Sequence, residues 1–196
     1  MRQLKLQMQL TIDGFVAGPN GELDWMQSQE LDDEVKRCER ELIDSSDTIL
    51  MGRKMTDEFV NYWKKAVENP ASPEYEFAKK MMHTPKIVFT KTIAKSRWSN
   101  TVLATGDIVE EVNRLKSQPG KDILVYGGAD FVASLIKENL IDQYNLFINP
   151  TAIGEGKVIF GKLGTRSSSL KLKASHAFAC GIVLNTYANS IGANSQ

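Results

Sequence analysis

The sequence predicts a single α/β domain: a mixed sheet, mostly parallel with an antiparallel C-terminal hairpin, and helices on both faces. Two observations carry that expectation. Strand-like apolar runs alternate with charged, helix-spaced segments as far as about residue 138, and from residue 143 strand-like runs follow one another with almost no helical periodicity. A third is composition: 42% hydrophobic and 24% charged residues in a chain of 196 is the balance of a globular domain with a core to bury. The domain is expected over 1–188, with 189–196 as a flexible tail.

Leu4, Leu6, Met8 and Leu10 recur at every second position, which predicts a half-buried strand. Asp13 to Gly21 gathers turn formers around Phe15, Val16 and Ala17 and predicts a structured loop running to Trp25. Val35, Leu42 and Ile43 sit near helical spacing, so a helix is expected over 32–43, with Asp32, Asp33 and Glu34 at its positive end. Thr48 to Met51 reads as a short strand stopped by Gly52, followed by a helix through Trp63 that Tyr62 and Trp63 pack against its neighbours. After a break at 69–73, a helix over 74–82 ends before Pro85 and leads into a strand at 86–89. A strand at 101–105, a helix at 107–117, a strand at 123–126 and a helix at 129–138 complete the alternation. Strands are then expected at 143–148, 157–160, 170–178 and 181–188, the last two forming a hairpin around Ala179-Cys180-Gly181.

Charge and cysteine usage exclude several classes. Lys plus Arg and Asp plus Glu number 24 each, so nothing favours a nucleic-acid backbone or an anionic membrane. No apolar run approaches the ~20 residues of a membrane span, and the N-terminus does not open an apolar signal segment, so the expected location is cytoplasmic. Cys38 and Cys180 are far apart in sequence and His83 and His176 lie in no zinc-binding spacing, so no metal site is expected.

Three segments carry the chemistry. Ile123 to Phe131 is an apolar strand that turns through Gly127 and Gly128 into a helix beginning at Ala129; such a turn either serves only as a turn or offers backbone N–H groups to a phosphate. Met51-Gly52-Arg53-Lys54 places two cations at a helix start, where they oppose the dipole; they are either solvated or grip a phosphate. Val88 to Thr92 ends a strand with Thr90, Lys91 and Thr92, again at the carboxyl edge where ligands gather in open α/β sheets.

With Leu10 to Ala17, Leu23-Asp24-Trp25, Met51 to Lys54, Tyr126-Gly127-Gly128 and Asn149 to Gly156 in this order, nearly the whole chain resembles the dihydrofolate-reductase-like reductases that include the C-terminal reductase domain of riboflavin biosynthesis. The resemblance implies an NADPH site. Gly52, Arg53 and Lys54 would lie beside the adenosine phosphates, with Thr90 and Lys91 on the adenosine side and Gly127, Gly128 and Ala129 at the pyrophosphate. The nicotinamide would lie near Val16, Ala17 and the Ile153-Gly154 loop, and Arg53 with Lys54 would favour NADPH over NADH. The implied substrate is a small heterocycle, pterin-like or an aminopyrimidine ribose derivative, and the implied assembly a homodimer. No deaminase signature (HxE with PCxxC) accompanies the reductase pattern.

The sequence departs from the family pattern in two places. Many relatives carry Thr directly after Gly-Arg-Lys; here Met55 stands there and the hydroxyl comes one place later, at Thr56, which the resemblance then implies as a cofactor contact. Folate-reducing enzymes hold the pterin with a carboxylate on the first helix, for which Glu30, Asp32 and Asp33 are nearest, although an exposed helix start favoured by the dipole is the better account of each. Asp13 either touches substrate or caps its own turn, and Trp25 either lines the pocket or fills the core. Asp13, Glu30 and Asp33 are therefore the catalytic candidates, and Asp13, Val16 and Trp25 the substrate contacts. Without a clear acid, a non-catalytic NADP(H)-binding module on the same fold is the alternative to an enzyme.

Overall fold

The computed structural model describes residues 1–27, 32–165 and 167–190. Eight strands, β1 (Leu4–Thr11), β2 (Ser46–Gly52), β3 (Lys86–Phe89), β4 (Thr101–Ala104), β5 (Asp122–Gly127), β6 (Gln143–Asn149), β7 (Leu170–Ala177) and β8 (Val183–Asn189), form one sheet in the order β4-β3-β2-β5-β1-β6-β8-β7. The six from β4 to β6 are parallel, and β8 and β7 add antiparallel strands. The helices are α1 (Asp24–Gln27), α2 (Asp33–Asp44), α3 (Arg53–Ala66), α4 (Tyr75–His83), α5 (Ile108–Ser117) and α6 (Ala129–Lys137).

Parallel strands need crossovers, and the helices that supply them cover both faces. On one, Val112 and Leu115 of α5 and Val132, Leu135 and Ile136 of α6 pack on Leu4, Leu6, Met8 and Leu10. On the other, α2, α3 and α4 bury Ile43, Phe59, Trp63 and Met81 against Ile49, Met51, Val88 and Leu124. Each such aliphatic side chain contributes about 1.5–3 kcal/mol on burial. The α2 start is fixed by its cap: the Asp32 carboxylate accepts the Val35 N–H at 2.9 Å. The same carboxylate accepts the Cys180 N–H at 3.3 Å, and His176 lies 3.3 Å from Glu34, so the tip of the β7–β8 hairpin sets how α2 lies on the sheet.

Four expectations are corrected. The first strand is central, not half-buried: α2 covers its polar face, leaving Gln7 only 4% exposed. Residues 157–160 form no strand; the segment makes a single antiparallel bridge between Lys157 and Ala17. Gly156 lets it approach, since a Cβ there would meet the Ala17 carbonyl oxygen at 2.2 Å. Asn189 is part of β8 and not of a tail, its N–H donating to the Asp142 carbonyl and its side-chain amide to Ile141 O; 191–196 lie outside the described residues. Trp63 enters the core, whereas Tyr62 is largely exposed and meets its neighbour only at the edge, its hydroxyl donating to Glu74 Oε2 at 3.2 Å.

Candidate functional site

A cleft of about 960 Å³ opens at the carboxyl ends of β1, β2, β3 and β5, within the size range of small-molecule sites and at the edge where open parallel sheets bind ligands. One wall is made of turns. The β2–α3 turn brings Gly52, Arg53, Lys54 and Met55, the end of β3 brings Thr90 and Lys91, and the β5–α6 turn brings Gly127, Gly128 and Ala129. Gly52 is the N-cap of α3 and Gly128 that of α6, and neither helix start has a side-chain cap. The two turns are pressed together: a Cβ on Gly52 would lie 2.8 Å from Phe131 Cβ. Gly127 holds φ +139, a value that side-chain-bearing residues rarely adopt.

The opposite wall is made of side chains. Gln7 and Gln9 project from the α2-covered face of β1, and both donate their Nε2–H to Glu39 Oε1 at 3.1 Å. Gln9 is held in turn by Asn149, whose Nδ2 donates to Gln9 Oε1 at 2.8 Å. All three of Gln7, Gln9 and Glu39 line the cleft. Burial pushes the Glu39 carboxyl up to about 7, and the two glutamine amides only partly offset it. Val16, Ala17 and Lys157 also line the cleft, joined by the Val16 N–H to Lys157 carbonyl bond at 2.9 Å.

The structure thus brings Val16, Ala17, Gly52, Arg53, Lys54, Thr90, Lys91, Gly127, Gly128 and Ala129 to one cleft. Other expected site residues lie elsewhere. Thr56 is fully buried and donates its hydroxyl hydrogen to Gly52 O at 3.1 Å, a bond back along its own helix that takes it out of the lining. Asp13, Ile153 and Gly154 form a loop clamp: Asp13 Oδ2 accepts the Ile153 and Gly154 N–H groups at 3.0 and 2.8 Å and Oδ1 accepts the Thr11 hydroxyl. These bonds, the Thr11 hydroxyl foremost, hold the Asp13 carboxyl below its usual range, so it stays ionised as a structural anion and is no proton donor. Trp25 is buried at 6% exposure and does not line the cleft. Asp33 is exposed in the first turn of α2, 3.9 Å from Lys36, and Asp32 is spent on the cap; Glu30 lies outside the described residues.

Glu39, Gln7, Lys157 and Lys162 are cleft residues that the sequence did not single out. Lys162 Nζ donates to Asp130 O and Ser134 Oγ, both at 2.8 Å, which places it on the first turns of α6. Gln7 and Gln9 gain their significance only from the fold: polar residues on the second face of a strand that is central must be covered by something polar. Nothing local marked Glu39 among the charges of α2.

Fold and cleft together define an open α/β protein with a ligand cleft walled on one side by two glycine turns. The chain belongs to the RibD C-terminal domain family, whose model matches residues 2–184. It is 36% identical over 187 residues to the uncharacterised protein YyaP of Bacillus subtilis, covering 95% of this chain and 94% of that one. Among solved structures it is similar to a riboflavin biosynthesis protein from Shewanella, with a TM-score of 0.76 at 23% identity and coverage of 97% and 99%. It also resembles the diaminohydroxyphosphoribosylaminopyrimidine deaminase/5-amino-6-(5-phosphoribosylamino)uracil reductase of Thermotoga maritima, at TM-score 0.65 and 17% identity, covering 96% of this chain but 56% of that one. The α/β fold with its mixed, mostly parallel sheet is that of these proteins, and the family is a reductase domain. Among the described residues no helix is long and apolar enough to cross a membrane.

Proposed function

We propose that this protein is an NADPH-dependent reductase of a small heterocycle, pterin-like or an aminopyrimidine ribose derivative. The observation that carries this reading is the convergence of two glycine-capped helix starts with Arg53, Lys54 and Lys91 in one cleft. Uncapped helix starts and cations together favour bound phosphate, and the donor set suits a dinucleotide carrying an extra phosphate. Gly52, Arg53, Lys54, Thr90 and Lys91 would hold its adenosine end and Gly127 to Ala129 its pyrophosphate.

Bound NADPH supplies a hydride; the chain's own residues do the rest. Val16 and Ala17 offer an apolar surface against which a flat ring can lie, and the turns fix the cofactor so that little motion is needed for transfer. Glu39 is the proton-holding group of the cleft. Both glutamines donate to its Oε1, which leaves Oε2 to carry the proton, and a carboxyl titrating near neutrality is well placed to give that proton up. This replaces Asp13 and Asp33 as the acid. The assembly is read as a homodimer, which sedimentation of the purified chain checks.

Titration with NADPH and NADH, followed by cofactor fluorescence, tests the cofactor site in the wild type, Arg53→Ala and Gly128→Asp. Both substitutions are expected to weaken NADPH binding, and Arg53→Ala also to narrow its preference over NADH. At Gly128 an added Cβ meets nothing closer than Met55 Cγ at 3.8 Å, and the aspartate adds a negative charge at the turn. Folded protein that binds no NADPH would overturn the reading.

A further inference from the structure

The glycine turn that the cofactor reading assigns to pyrophosphate already has an acceptor. Met55, the third residue of α3, reaches across the cleft wall, and its Sδ accepts the Gly128 N–H at 2.8 Å. The same side chain covers the neighbouring glycine: a Cβ on Gly127 would lie 3.0 Å from Met55 Sδ and 3.6 Å from its Cε. One hydrogen bond and one close approach therefore put the thioether over both glycines, at the start of α6 where no side-chain cap is present. Met55 also packs against the core cluster under α3, which anchors the base of the side chain while its end lies in the cleft lining.

We propose that Met55 is a displaceable plug of the phosphate-binding turn, competing with a pyrophosphate oxygen for the Gly128 N–H and so setting cofactor affinity in this chain. The proposal rests on the cofactor reading above. A thioether sulfur is a weak acceptor, whereas a phosphate oxygen forms charge-assisted bonds roughly twice as strong as neutral ones, so the exchange runs in favour of the phosphate. Methionine has three rotatable side-chain bonds and no branch, so it can leave the turn without moving the helix. What the plug takes away is the free energy of the bond it gives up and of the packing it abandons. Residue 55 thus tunes affinity without altering the turn. The position follows directly after Gly52-Arg53-Lys54 in the same turn.

The plug lies at the pyrophosphate, which NADPH and NADH share, and away from the cations expected to read the extra phosphate. Met55→Ala and Met55→Thr are therefore expected to tighten both cofactors about three- to tenfold, the range of one neutral hydrogen bond, with the NADPH to NADH ratio unchanged. Inorganic pyrophosphate, titrated as a competitor of NADPH, should tighten in the same proportion. Thermal unfolding confirms that each variant is folded. Unchanged or weaker NADPH binding in both folded variants would overturn the plug, because the thioether would then be a bystander or a supporting contact. Tighter NADPH with unchanged pyrophosphate would overturn it as well, by moving the effect away from the turn. If wild type and variants, all folded, bind no NADPH, the cofactor reading itself fails and the plug with it.

Discussion

The two walls of the cleft are built on different principles. The wall of turns presents backbone: Gly52, Gly127 and Gly128 act by lacking a side chain, and each lies within a few residues of the strand and helix it joins. The wall of side chains presents Gln7, Gln9 and Glu39, polar groups set some 30 residues apart in sequence that meet only because α2 crosses the face of β1. The first wall depends on local chain geometry and the second on tertiary packing. The first is thus a fixed set of backbone groups, the second a titratable surface whose charge the fold controls.

The largest expected effect breaks the second wall. If Glu39 hands on the proton, Glu39→Gln should lower turnover by about 10²–10⁴, the usual contribution of a positioned acid, with cofactor affinity nearly unchanged. In the wild type, turnover should fall as pH rises through about 7, where the acid form is lost, and the variant should lose that dependence. The linkage sign is opposite to that of most carboxylates: a raised folded value means stability is fullest below the unfolded value of 4.5 and declines as pH rises through 7. Denaturant unfolding of wild type and variant across that window checks it. An unchanged pH profile of turnover in Glu39→Gln would remove Glu39 from the chemistry.

Next in size is a break in the first wall. Gly52→Ala would place a Cβ 2.8 Å from Phe131 Cβ, an atom next to the backbone that cannot swing aside. The two turns must separate, at a cost of about 1–3 kcal/mol in stability for overpacking, and NADPH affinity should fall about tenfold as the helix starts move apart. The measurement is a cofactor titration alongside denaturant unfolding. Its contrast with Glu39→Gln sharpens the comparison: one variant should lose binding and keep the pH profile, the other the reverse.

Legibility in the sequence follows the same division. Glycine between an apolar strand and a helix is a local signal, so the turn wall could be read residue by residue, as could the parallel-then-antiparallel order of the sheet. Thr56 misled because a hydroxyl in a first turn can bond outward or back along its own helix, and only the fold shows that it donates to Gly52 O. Asp13 lay beside the right loop, but its oxygens hold the Ile153 and Gly154 amides, partners some 140 residues away. Glu39 was hidden because α2 carries acidic residues at 33, 34, 39, 41 and 44, and periodicity does not tell which of them faces the sheet's polar stripe. Strand alternation predicted where Leu4, Leu6, Met8 and Leu10 point; that the other face is covered too depends on β1 being central, a property of the whole sheet.

A smaller effect tests whether a displaced titration marks chemistry by itself. Lys86 at the start of β3 is buried at 1% exposure, and its Nζ donates to the carbonyls of Met82 and Thr84 at 2.9 Å each. Burial pulls it down to about 8. It lines no part of the cleft, so its role is to close the end of α4. Because the folded value is lowered, the folded chain releases this proton first as pH rises: stability should increase from about 8 towards the unfolded value of 10.5 and be lost again as pH falls through 8. Lys86→Met keeps the buried stem and removes the titration. Unfolding midpoints at pH 7 and pH 10 should therefore differ more in the wild type than in the variant, with turnover alike in both. A change in the pH profile of turnover would instead tie this lysine to the cleft and erase the distinction between an ionisable group buried for chemistry and one buried for architecture.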